Sequence, residues 1–122
     1  YHPFYCPSGG HTLGIPDTPW GHCQLTHTDY VNYIEDQRPF EADYTKPWLS
    51  KALTRDYPIS RMQHALAQAN FKITYWQETP TTEQNLADLT PQIQWTCFQT
   101  NPQIGLSDLI TESIMFVAQK PN

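Results

Sequence analysis

Residues 60 to 78, SRMQHALAQANFKITYWQE, change period halfway along. Met62, Ala65, Leu66 and Ala69 recur at helical spacing, and Ser60 followed by Gln63 has the form of a capping box, so a helix is predicted here. Asn70 is suited to a left-handed stop. From Phe71 to Glu78 the pattern alternates. Phe71, Ile73 and Tyr75 are expected on one face, with Lys72, Thr74 and Trp76 on the other, as in a strand at a sheet edge.

A second apolar run, Ile114-Met115-Phe116-Val117-Ala118, does not alternate, so a strand over 113–119 is expected in a sheet interior with both faces covered. Between the two strands, Thr81 or Thr82 is expected to open a helix reaching Leu89. Pro91 suits the first position of another that reaches Gln99, and Ser107 is placed to cap one turn through Ile110. Upstream, Thr26 and Asp29 form a second cap pattern, with Tyr30, Val31, Tyr33 and Ile34 giving the apolar stripe of a helix over 27–37. Pro39, Pro47 and Pro58 leave room for at most one short helix, near 48–54. Residues 1–25 contain Pro3, Pro7, Pro16 and Pro19 with four of the five glycines, and read as an ordered loop.

At 122 residues the chain is long enough for one core and short for two. Seven basic against twelve acidic residues give a net charge of −5, which disfavours a general grip on nucleic acid. No apolar run is long enough to span a bilayer, and the expected location is the cytoplasm. Cys6, Cys23 and Cys97 are odd in number and widely spaced, which matches neither a disulfide framework nor a zinc ribbon, so reduced thiols are expected. Cys6 and Cys23 flank the first loop and could meet.

Several segments carry a family resemblance. Ala69-Asn70-Phe71 followed by Trp76 resembles the helix end and sixth strand of class I S-adenosylmethionine-dependent methyltransferases, and ESIMFVAQKP resembles their closing seventh strand. The opening PFYCPSGGHTLGIPDTPWGH resembles the loop after the fifth strand in a bacterial subgroup with a long insertion there. The resemblance implies an α/β fold, the C-terminal part of a Rossmann-like methyltransferase, in which the seventh strand inserts antiparallel between the fifth and the sixth. Residues 1–122 would then form a single partial domain. Residues 1–59 would supply an acceptor-side loop and helical insertion, and residues 60–122 a closing helix-strand-helix-strand segment. Such a chain is expected to be truncated. It contains no GxGxG turn, so S-adenosylmethionine would be bound by a part N-terminal to Tyr1, and the segment alone would be inactive.

In open α/β sheets the active crevice lies beyond the carboxyl ends of the parallel strands. The resemblance therefore puts the first loop over the methyl acceptor, a small molecule or a glycan. His11 and His22 are its candidates for proton transfer, the alternative being hydrogen bonds that brace the loop. Trp20, Asp17 and Tyr5 are the candidate acceptor-binding residues. Against these roles stand a buried aromatic anchor for Trp20 and an Asx turn for Asp17. His11, Asp17, His22, Cys23 and His27 match no compact metal pattern, and no metal is expected. His64 is expected at the surface. The main alternative function is a non-catalytic binding module that grips a ligand with the Pro/Trp/His-rich loop. A small metal-dependent hydrolase is a third.

Overall fold

The computed structural model describes residues 1–9, 18–51 and 56–122, and for residues 48–51 the backbone only. Seven helices and two strands lie among the described residues. They are α1 (Gly21–Gln24), α2 (His27–Gln37), α3 (Pro39–Lys51), α4 (Ile59–Gln68), β1 (Lys72–Pro80), α5 (Glu83–Asp88), α6 (Pro91–Thr100), α7 (Leu106–Ile110) and β2 (Thr111–Gln119).

Local capping accounts for three of the helix starts. Thr26 accepts a hydrogen bond from the Asp29 N–H at 3.1 Å, Thr82 from that of Asn85 at 3.2 Å, and Thr90 from that of Ile93 at 3.3 Å. Each satisfies one donor that the first helical turn leaves open. Pro91 opens α6, where its missing N–H costs nothing. Asn70, with φ of 66°, takes the left-handed conformation after α4.

Three starts differ from expectation. α4 begins after Pro58 with no side-chain cap from Ser60; the Ile59 N–H instead donates to the carboxylate of Asp108, at 2.7 Å and 49 residues away. α7 begins after Gly105 rather than Ser107, and its third residue Asp108 accepts the Gly105 N–H at 2.9 Å. α3 starts at Pro39, well before the short helix expected near 48–54, of which residues 52–54 lie outside the described residues. Pro39 is its first residue and needs no N–H partner there, and the helix continues through Pro47 without the bond that Pro47 would have donated. The first 25 residues also contain the single turn α1.

β1 and β2 form an antiparallel two-stranded sheet pairing Lys72 with Gln119, Trp76 with Phe116 and Glu78 with Ile114. The register slips between Ile73 and Tyr75, a bulge at Thr74 that corrects the expected faces. Ile73 pairs with Ala118 and Trp76 with Phe116, so these two share a face; their partners lie two apart on β2. The Trp76 and Phe116 rings stack there, with centroids 5.5 Å apart. Tyr75, paired with Val117, moves to the opposite face, where Tyr75, Met115 and Val117 are exposed. The expectation that both faces of 113–119 are covered is therefore wrong for that side. A two-stranded sheet has one covered face here, and only Thr111 and Ile114 of β2 are buried.

On its other edge β2 meets Tyr1. The Tyr1 amino group donates to the Ile114 carbonyl at 3.0 Å and the Ile114 N–H donates back to the Tyr1 carbonyl at 2.8 Å, the reciprocal exchange of an antiparallel pair. The backbone order is thus Tyr1, β2, β1, with β1 outermost.

The main core unites both ends of the sequence. Phe4, Tyr5, Trp20, Cys23, Tyr30 and Ile34 pack with Leu89, Cys97, Ile104 and Leu109. Tyr30 and Ile34 are core residues, as the α2 stripe predicts, with Val31 and Tyr33 packed against them. No helix among the described residues is long and apolar enough to cross a membrane.

Candidate functional site

Residues 3–9 run without regular secondary structure, yet Pro3, Phe4, Tyr5, Cys6 and Gly9 are all buried. Buried backbone outside a helix or sheet must still find partners, in turns, side chains or water. Here three side chains supply them. The Cys6 thiol donates to the Pro3 carbonyl at 3.1 Å, the Cys23 thiol donates to that of Tyr5 at 3.3 Å, and His22 Nε2 lies 2.9 Å from that of Cys6. The ring of Phe4 stands edge-on to those of Tyr5 and His22, each with centroids 5.2 Å apart.

Of the residues proposed from sequence, the loop gathers Tyr5, Trp20 and His22. Tyr5 is fully buried, and its hydroxyl accepts from Gln103 at 3.0 Å. Trp20 is 3% exposed and donates its indole N–H to the Leu109 carbonyl at 2.9 Å. Its φ of 53° is left-handed, a conformation that costs a non-glycine residue about 1 kcal/mol. Burial of the indole offsets that cost. In this arrangement Trp20 is a core anchor, and its carbonyl accepts the N–H groups of Cys23 and Gln24 at 2.9 and 3.1 Å, which closes α1. His22 is fully buried. His11 and Asp17 lie outside the described residues. His64 is exposed.

Two carboxylates are invisible to the sequence reading, and one of them ties the loop down. Glu112, at the start of β2, accepts from the Ser8 hydroxyl and the Thr81 hydroxyl, each at 2.8 Å, and Asn85 donates to Thr81 at 2.8 Å. The Cys6 thiol lies 3.1 Å from the Ser8 hydroxyl. This polar ridge opens to solvent at Ser8, just before the chain enters residues 10–17. It can hold a ligand hydroxyl or amine through Glu112. Asp108 is 3% exposed and accepts from two backbone N–H groups, those of Ile59 and Gly105. Burial, reinforced by the negative charge of Asp108, pushes the Tyr1 phenol well above the usual tyrosine range. The Tyr1 hydroxyl donates to the Tyr57 carbonyl. Beside Asp108, Ile59, Ser60, Gln63, Glu78, Gly105 and Ser107 line a shallow cleft of about 320 Å³.

The thiols pair differently from expectation. Cys23 lies beside Cys97, and its hydrogen bond holds the Cys97 thiol below the usual range against burial, which pushes it up. Asn101 bridges the same two residues, donating its amide to the Cys23 carbonyl at 2.7 Å and to that of Cys97 at 3.2 Å. All three cysteines are free thiols. Among the described residues no three His, Cys, Asp or Glu side chains gather as a metal site would require.

Comparison of the chain with known protein families, characterised proteins and solved structures finds no match.

Proposed function

We propose that this chain is the acceptor-side, C-terminal segment of a cytoplasmic class I S-adenosylmethionine-dependent methyltransferase, acting on a small molecule or a glycan. The observation that supports this reading is the backbone order Tyr1, β2, β1, antiparallel at both junctions. It is the order the resemblance implies for the fifth, seventh and sixth strands, with the chain leaving Tyr1 directly into the acceptor-side loop.

The residues present do not fit the cofactor. A cofactor crevice forms at the carboxyl ends of parallel strands beside a glycine-rich turn, whereas the two strands here are antiparallel and no such turn occurs in the sequence. The 122-residue chain is therefore inactive alone. Its own contribution is to hold the acceptor-side loop. Tyr5, Trp20 and His22 anchor the loop from within, and Glu112 grips it at Ser8. Within this reading His22 is a positioning residue, and His11, just beyond Ser8, is the proposed proton acceptor. The alternative of a free-standing binding module needs a ligand to reach Trp20 or His22, and both are buried.

The coding sequence upstream of Tyr1 tests the proposal. A strand, a glycine-rich turn and an acidic residue roughly 20 positions later are expected; a stop codon or an unrelated segment would overturn it. In the longer chain His11→Ala is expected to lower turnover while leaving cofactor affinity unchanged.

A further inference from the structure

We propose that Cys23 and Cys97 are a redox-sensitive latch on the segment 3–9, joined as a disulfide by hydrogen peroxide and released by a thiol reductant. The latch does not depend on the methyltransferase reading. Cys23 lies in the single turn α1 and Cys97 in α6, and both are fully buried. One amide nitrogen, that of Asn101, donates to the carbonyls of both, at 2.7 and 3.2 Å, so the two backbones are held close before any bond forms. The two side chains are also hydrogen-bonded to each other. Cys6 is engaged elsewhere, with the Pro3 carbonyl and the Ser8 hydroxyl, each at 3.1 Å.

Burial ordinarily leaves a cysteine inert. Two features set this pair apart. Cys23 has one S–H proton and two acceptors for it, the Tyr5 carbonyl at 3.3 Å and the Cys97 sulfur. Turned toward Cys97, that proton favours the thiolate there, which is the form that attacks an oxidant. The second feature is α1 itself, four residues long, in which the Cys23 and Gln24 N–H groups both close on the Trp20 carbonyl. A single turn held in this way opens locally at small cost, and hydrogen peroxide is little larger than water.

The Cys97 thiolate attacks one oxygen of the peroxide and the O–O bond breaks. Cys97 becomes a sulfenic acid, and the departing hydroxide leaves as water with the proton that the thiol had released. The Cys23 sulfur then displaces the sulfenic hydroxyl, which leaves as a second water with the Cys23 proton, and the S–S bond forms. Two thiols are oxidised and one peroxide is reduced. The proton lost from Cys23 is the one that the Tyr5 carbonyl accepts, so closing the disulfide removes one of the three side-chain braces on residues 3–9 and leaves those from Cys6 and His22.

The test treats the folded protein with hydrogen peroxide, alkylates the remaining thiols and maps the peptides without reduction. A cross-linked Cys23–Cys97 peptide is expected, with Cys6 alkylated and the cross-link lost on adding dithiothreitol. The Gly9 N–H, which donates to the Cys6 carbonyl at 2.9 Å, reads the segment directly. Its exchange is expected to be about fivefold faster in the oxidised chain, through loss of the net contribution of one hydrogen bond. These two measurements on the unaltered protein need no variant. Cys23→Ser keeps a donor for the Tyr5 carbonyl but cannot be cross-linked, so peroxide should leave its Gly9 exchange unchanged, whereas Cys6→Ser should form the cross-link as before. Thiols that all stay alkylatable, a Cys97 that stops at sulfenic or sulfinic acid, a disulfide that includes Cys6 or joins two chains, or a Cys23–Cys97 disulfide without effect at Gly9 would overturn the proposal.

Discussion

Residues 3–9 and the strand pair β1 and β2 divide regularity and burial between them in the opposite of the usual way. The strands have a hydrogen-bond ladder, interrupted by the bulge at Thr74, and lie mostly exposed, whereas the segment 3–9 has no ladder and lies mostly buried. The sheet is therefore not what anchors this molecule; the segment 3–9 shares the core with Cys23, Tyr30, Ile34, Cys97 and Leu109 of the helices. The irregular segment is ordered because Cys6, Cys23 and His22 meet its carbonyls and because Phe4 and Tyr5 fill the core.

The contrast predicts a graded response to substitution. Phe4→Ala should cost about 4 kcal/mol in urea unfolding, the usual loss for a buried aromatic ring. Asp108→Ala strands the buried Ile59 N–H and removes the acceptor of the part-buried Gly105 N–H, and should cost roughly 2 kcal/mol, with Asp108→Asn milder because it keeps an acceptor. A value near zero for Phe4→Ala would mean that the segment 3–9 is not an anchor, and one near zero for Asp108→Ala that the start of α4 does not depend on its distant cap. Thr26→Ala should remove about 1 kcal/mol through loss of the α2 cap. Met115→Ser, on the exposed sheet face, should change stability of the monomer by no more than about 0.5 kcal/mol. A larger loss would show that face to be covered.

Alkaline titration sharpens the same comparison. The Tyr1 phenol has a raised pKa in the folded state, so its contribution to stability is intact below the unfolded value of about 10 and is lost progressively above it, where only the unfolded chain ionises. Tyr1→Phe should flatten that part of the decline, read as the unfolding midpoint against pH.

What the sequence revealed follows the distance over which each interaction acts. Thr26, Thr82 and Thr90 cap donors three residues away, and Pro91 and Asn70 act on their own backbone, so a short window contains the whole cause. The start of α4 was misread because its cap, Asp108, lies 49 residues downstream. The bulge at Thr74 exists only relative to a partner strand, and it exchanged the faces of Tyr75 and Trp76. α3 shows a local rule outweighed, since Pro47 is tolerated inside a helix. At the candidate site, Tyr5, Trp20 and His22 stood out by residue type, but no pattern in the loop tells that they point inward. Glu112 and Asp108 gave no signal, because their partners are distant in sequence.

Tyr1 meets Ile114, Ser8 meets Glu112 and Trp20 meets Leu109, so the first residues find their places only against the last. A ribosome releases this chain from the amino end, and the early aromatic residues emerge long before the segments that shelter them. Phe4, Tyr5 and Trp20 must wait in water, or against a chaperone, until residues 97–114 have been made. Closing so long a loop is entropically slow, and the synthesis of residues 97–114, rather than local helix formation, sets the earliest moment at which the segment 3–9 can find its place.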